Sequence, residues 1–179
     1  DILCELVEYI ISTHHSKIML LSHNNAFSKD PIFQLKNGRD YFILEKLYNR
    51  LITRKKVNPA EILLWDFPIF APQVKFLIGE TDIYISGRAH AAVAAFSQNV
   101  PCLILDYLNG PTPQKLKGFA ADVGMEKYVT SISNIEKTKI FDELFYNRDK
   151  TKAYLLKENL KIKNDINRSF DFLKDIVKE

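Results

Sequence analysis

Much of what most readily signals a function is scarce in this chain. Its 179 residues include only six glycines and two cysteines. The glycines form neither a GxGxxG nor a Walker pattern, which argues against a Gly-rich cradle for a dinucleotide or nucleotide phosphate. Cys4 and Cys102 lack metal-ligand spacing and a disulfide-rich context, so free thiols in a reducing, cytoplasmic compartment are expected. No carboxylate, His and Cys spacing suggests a metal site, and no cofactor is expected. No apolar run approaches the roughly 20 residues of a membrane helix. The first apolar segment is broken by Glu5 and Glu8, unlike a secretory signal. A large excess of one charge is missing too: the net charge is +3. The basic residues gather in Lys150 to Lys163, where they alternate with apolar positions, so they read as a solvated helix face rather than a nucleic-acid patch. There is no internal repeat and no low-complexity segment.

What is present suits a globular protein: 46% hydrophobic and 26% charged residues, in a length that fits one domain with a sizeable core. Ile2, Leu3, Leu6, Val7, Ile10 and Ile11 follow helical spacing from almost the first residue, without a cap or a starting methionine. The chain therefore reads as a piece of a longer protein. Lys17 to Ser22 and Ile62 to Trp65 are apolar strands, the first of the kind buried on both faces of a parallel sheet. Ile83 to Ile85, Cys102 to Leu105 and Tyr128 to Thr130 supply three more. Between them fall a polar loop with Pro31 and Gly38 and helices near Asp40 to Leu51, Gln73 to Ile78, Ala89 to Phe96 and Lys115 to Val123. Two further helices, the last one long, finish the chain. Strands alternating with helices this regularly predict an α/β fold, a doubly wound parallel five-stranded sheet of Rossmann-like type in one domain over 1–179.

The run Asp82-Ile-Tyr-Ile-Ser-Gly-Arg-Ala-His90 concentrates the chemistry. Ser86-Gly87 punctuates the end of a β-branched and aromatic strand, and an alanine-rich helix follows. Ligands of open parallel sheets sit beyond the carboxyl ends of the strands, where helix N-termini favour anions. There, Arg88 offers a forked cation for a carboxylate or phosphate, and His90 can give or take a proton near neutral pH. A strand order of 2-1-3-4-5 would open a crevice between the first and third strands, with His23 on one side and Arg88 on the other. The loop Asn109 to Lys117 would open on the same edge and add Lys115 and Lys117 as cations.

The other candidates have plainer explanations. His14 and His15 end a helix, where imidazoles complement the dipole; Asp40 and Glu45 decorate the first turns of another. Trp65 reads as core or rim packing, and Pro111-Thr-Pro113 as a loop former or strand stop.

Ile85-Ser-Gly-Arg-Ala-His-Ala-Ala-Val-Ala-Ala-Phe-Ser-Gln-Asn-Val-Pro-Cys102, followed by Lys115-Leu-Lys-Gly-Phe-Ala-Ala-Asp-Val-Gly-Met125, resembles the C-terminal half of polysaccharide pyruvyl transferases. The resemblance runs from about the first strand to the fifth. Ala89 stands where that family often has leucine, Ser22-His23 where it has Pro-His, and Pro113-Gln-Lys115 spaces out its Pro-Lys.

The resemblance implies a GT-B-like C-terminal domain from a two-domain transferase, its N-terminal domain missing from this chain. It implies transfer of a pyruvyl group from phosphoenolpyruvate, as donor substrate, to a sugar hydroxyl pair as a ketal in exopolysaccharide or cell-surface polysaccharide biosynthesis. Arg88, with Gly87, would hold the donor, Lys115 and Lys117 its phosphate, and His90 and His23 would move protons. The acceptor would be a saccharide or a lipid-linked saccharide, the latter bringing peripheral membrane association, and the isolated chain would be inactive. Two alternatives stay open: a GT-B glycosyltransferase using a nucleotide-sugar, with Asp106 holding a ribose, and a non-catalytic Rossmann-like binding domain.

Overall fold

The computed structural model describes residues 2–24, 26–28, 34–36, 40–106, 115–134 and 136–177. In chain order the regular elements are α1 (Ile2–His14), β1 (Ile18–Leu20), β2 (Ala26–Ser28), β3 (Gln34–Lys36), α2 (Tyr41–Thr53), β4 (Ile62–Leu64), α3 (Ala71–Gly79) and β5 (Tyr84–Ser86). They continue with α4 (Ala89–Ser97), β6 (Cys102–Asp106), α5 (Lys115–Asp122), β7 (Val129–Ser131), α6 (Lys137–Tyr146) and α7 (Arg148–Val177). They fall into two compact units, residues 1–74 with 132–138 and residues 75–131 with 139–179.

In the first unit β1 and β4 pair in parallel, Ile18 against Ile62 and Leu20 against Leu64. The apolar stripe of α1, through Cys4, Val7 and Ile11, packs with Leu47 and Leu51 of α2 and with Leu20 and Ile62 of the strands. Burying such side chains fully contributes about 1.5–3 kcal/mol each. At its rim, Glu8 of α1 meets Arg54 at 2.9 Å and Lys56 at 3.6 Å just beyond α2. Asn58 and Glu61 cap a short turn into β4: the Asn58 side chain accepts from the Ala60 N–H at 3.0 Å, and Glu61 accepts from the Asn58 N–H at 3.1 Å.

In the second unit β5, β6 and β7 form a parallel sheet in that order, with Tyr84 beside Cys102 and Ile104 beside Val129. Cys102, Leu103 and Ile104 of the central strand have no exposed surface. The alanines of α4 let it lie close to this sheet: Ala91, Ala92 and Ala95 are buried, and Phe96 meets Phe119 of α5 at 5.7 Å between ring centres. Two helices stop by the same device. Asn99 (φ 61) and Gly124 (φ 69) turn left-handed, and the Val100 and Met125 N–H groups reach back to the carbonyls of Ala95 and Ala120. Near the middle of α7, Asn159 donates to the Phe96 carbonyl at 2.7 Å and to the Asn99 side chain at 2.8 Å. From Lys161 to Phe172 the helix is exposed on all sides.

The mixed α/β character and the long C-terminal helix match the sequence reading, but the single five-stranded sheet does not. The five parallel strands divide into a pair and a triplet; the 2-1 and 3-4-5 segments form, and no pairing of the first strand with the third is present among the described residues. Four of these strands are only three residues long, and alternation of elements does not encode which strands pair. The polar loop of the sequence reading contains an unforeseen antiparallel hairpin, Ala26 opposite Lys36 and Ser28 opposite Gln34.

Candidate functional site

The triplet sheet ends, on its carboxyl side, at Ser86, Asp106 and Ser131. Ser86 is buried, and its hydroxyl makes two bonds to one residue: it accepts the Arg88 N–H at 3.0 Å and donates to the Arg88 carbonyl at 3.2 Å. That same carbonyl accepts the Ala92 N–H at 3.0 Å, opening the α4 hydrogen-bond ladder. Gly87 spans the turn, and Arg88 is the extended N-cap residue (φ −115, ψ 127) whose side chain does not cap the helix. The first-turn N–H groups of α4 therefore receive nothing from the usual cap, and the positive end of the helix dipole starts at a half-buried arginine.

His90 follows on the first turn, exposed to solvent. Lys115 is the first residue of α5, the helix after the central strand, and Lys117 is exposed on it. Gly87, Arg88, His90, Lys115 and Lys117 thus all belong to the second unit, on segments that follow adjacent parallel strands. The remainder of the expected loop, with Pro111 and Pro113, lies outside the described residues.

His23 belongs to the first unit, half-buried just beyond β1, its Nδ1 shut off from solvent. Asp40 binds the backbone of the next residue: the Asn24 N–H donates to it at 2.9 Å. The Tyr41 hydroxyl donates to Glu45, and its pKa is raised from the ordinary value by burial first and then by the charges of Glu45 and Asp66. Asp40 and Glu45 therefore hold a backbone and a phenol in place rather than merely decorating α2. Carboxylates gathered there disfavour an anionic ligand, whereas the second unit supplies the cations.

Trp65 is half-buried at the end of β4, its indole N–H donating to the Phe67 carbonyl at 3.1 Å and its ring edge-on to Phe67, which is rim packing. His15 closes α1 in the left-handed conformation (φ 51), and His14 packs edge-on against Tyr9. Cys4 and Cys102 are buried free thiols; burial alone pushes the Cys102 thiol far above its usual range, which removes it as a nucleophile. A cavity of about 350 Å³ lies at the amino ends of β1 and β4, lined by Lys17, Met19, Pro59, Glu61 and Leu63 among others. This is the end of a parallel pair opposite to the one where such sheets bind ligands.

No protein-family model, curated protein or solved structure matches the chain. Among the described residues, no three His, Cys, Asp or Glu side chains gather into a group that could hold a metal, and no helix is long and apolar enough to cross a membrane.

The two bonds of Ser86 to the Arg88 backbone go beyond the turn punctuation that the sequence reading assigns to it. A signal existed: a serine two residues before a helix N-cap is the spacing at which a hydroxyl binds the backbone of the turn.

Proposed function

We propose that the chain binds phosphoenolpyruvate at the start of α4 and serves pyruvyl transfer from it to a pair of sugar hydroxyls, forming a ketal. One observation carries this reading: a half-buried arginine and an exposed histidine two residues apart, at a helix N-terminus without a side-chain cap, on the carboxyl edge of an all-parallel sheet. A donor with a carboxylate and a phosphate needs such a cationic cradle. Arg88 takes one of the two through a forked pair of hydrogen bonds, the α4 N–H groups favour the other, and Lys115 and Lys117 supply further positive charge.

His90 as imidazolium delivers a proton to the donor's methylene carbon, whose double-bond electrons form the new C–H bond. The adjacent carbon becomes cationic. A sugar hydroxyl attacks it and returns its proton to His90; the C–O bond to phosphate then breaks, and the second hydroxyl closes the ketal, its proton passing to the departing phosphate. Phosphate leaves as the second product. A saccharide or lipid-linked saccharide is the acceptor.

Calorimetric titration with phosphoenolpyruvate, joined to a phosphate-release assay with a saccharide, tests this. The parent chain is expected to bind the donor, and Arg88→Ala to weaken binding by roughly 10- to 100-fold. In an active preparation His90→Gln is expected to lower kcat by about 10²- to 10⁴-fold while leaving donor affinity nearly unchanged. Absence of phosphoenolpyruvate binding, or an Arg88→Ala chain that binds like the parent, refutes the reading. Tight binding of a nucleotide-sugar instead would favour the glycosyltransferase.

A further inference from the structure

We infer that Ser86 is a positioning residue for the anion site: its hydroxyl fixes the backbone of Arg88 and, through it, both the guanidinium and the start of α4. The inference rests on the reading that Arg88 grips an anion.

The hydroxyl is buried and both of its hydrogen-bonding functions are committed to one residue, to the Arg88 N–H at 3.0 Å and the Arg88 carbonyl at 3.2 Å. A hydroxyl that merely satisfied itself would need neither both bonds nor the same partner. The carbonyl it holds is also the acceptor for Ala92, so strand end, N-cap residue and first helical turn form one hydrogen-bonded unit. Glycine at 87, between hydroxyl and N-cap, leaves the turn little stiffness of its own. The serine supplies that stiffness. Ser86 also sits in register with Ile104 of the central strand, a residue with no exposed surface, so the hydroxyl springs from the packed part of the sheet.

Without the hydroxyl, residue 88 gains freedom in the torsions that aim its side chain, and the first-turn N–H groups shift with it. Displacements of about 1 Å in such groups are enough to weaken recognition by large factors. The effect therefore has to pass through Arg88.

The test is a double-mutant cycle on the 179-residue chain, read as affinity for inorganic phosphate and for phosphoenolpyruvate by calorimetry. Ser86→Cys, nearly isosteric but a weak donor and acceptor, is expected to bind both roughly tenfold more weakly. Ser86→Thr, which keeps a hydroxyl, is expected to stay within about threefold of the parent. In an Arg88→Ala background Ser86→Cys is expected to cost nothing further, because the group it positions is gone. An equal loss in both backgrounds means that Ser86 acts on the fold alone and overturns the inference. So does full affinity in Ser86→Cys while Arg88→Ala has lost it, an outcome that leaves the anion site itself intact. If Arg88→Ala binds phosphate like the parent, the anion site fails and the positioning role falls with it. Should Ser86→Cys not fold, the Thr variant decides: a folded Ser86→Thr chain without phosphate affinity refutes the inference.

Discussion

Among the six glycines, Gly124 shows at the scale of a single residue why one of them stands where it does. Its φ of 69 lies in the left-handed region, and the space a Cβ would take is occupied by the hydroxyl of Tyr154. Gly124→Ala is expected to destabilise the chain by about 1–3 kcal/mol, read as a lower denaturation midpoint. Tyr154→Phe removes the nearest atom, so the same glycine substitution made in that background should cost less but still be unfavourable. An unchanged cost would mean that backbone conformation alone explains the glycine. Asn99 performs the equivalent turn after α4 without a glycine, since asparagine tolerates φ > 0 better than most residues. The place of Arg88 and His90 at the start of α4 is legible from sequence, because a strand end, a Gly turn and an Ala-rich helix follow local rules. Ser86 was harder to read, because which atoms a buried hydroxyl reaches depends on a backbone trajectory that local composition only suggests.

At the scale of elements, helices and strands fell close to where periodicity placed them. The sequence puts the fourth helix at Ala89 to Phe96 and it runs Ala89–Ser97; Cys102 to Leu105 becomes Cys102–Asp106. Burial departed further from expectation. The apolar runs looked alike in sequence, yet Cys102, Leu103 and Ile104 are all enclosed while Leu63 in β4 keeps 53% of its surface exposed between a buried Ile62 and a half-buried Leu64. An apolar run states which residues can be buried, whereas covering both faces depends on neighbours that the run does not specify. Ile104→Ala is accordingly expected to cost about 2–5 kcal/mol, and Leu63→Ala less than about 1 kcal/mol, by chemical denaturation. Similar costs at the two positions would show that β4 is enclosed on both faces. The hairpin Ala26–Ser28 with Gln34–Lys36 escaped notice for a related reason: its strands are three residues each, too short to show alternation against polar flanks.

At the scale of the whole molecule, charge is divided between sites rather than accumulated. A net charge of +3 gives little general attraction for anions, so affinity for a phosphate-bearing donor has to come from placed groups. The cations of the proposed cradle lie in the second unit, while the charges of Glu45 and Asp66 bear on Tyr41 in the first. Ligand linkage turns this division into an observable, because a molecule that binds only the folded state stabilises it by about 2.7 kcal/mol at a hundred times its Kd. Phosphoenolpyruvate at that excess is expected to raise the unfolding midpoint of the parent chain and, at the same concentration, to stabilise Arg88→Ala by only about 0.4–1.4 kcal/mol, half of the parent's gain or less. Hydrogen exchange should locate the effect, with protection growing most in the amides of residues 86–92, where the Ser86 hydroxyl, the Arg88 backbone and the first turn of α4 are joined. Protection centred instead on residues 23–24 and 40–45 would put the donor among carboxylates, against the electrostatic argument. A midpoint shift in Arg88→Ala as large as the parent's would show that the arginine is not what holds the anion.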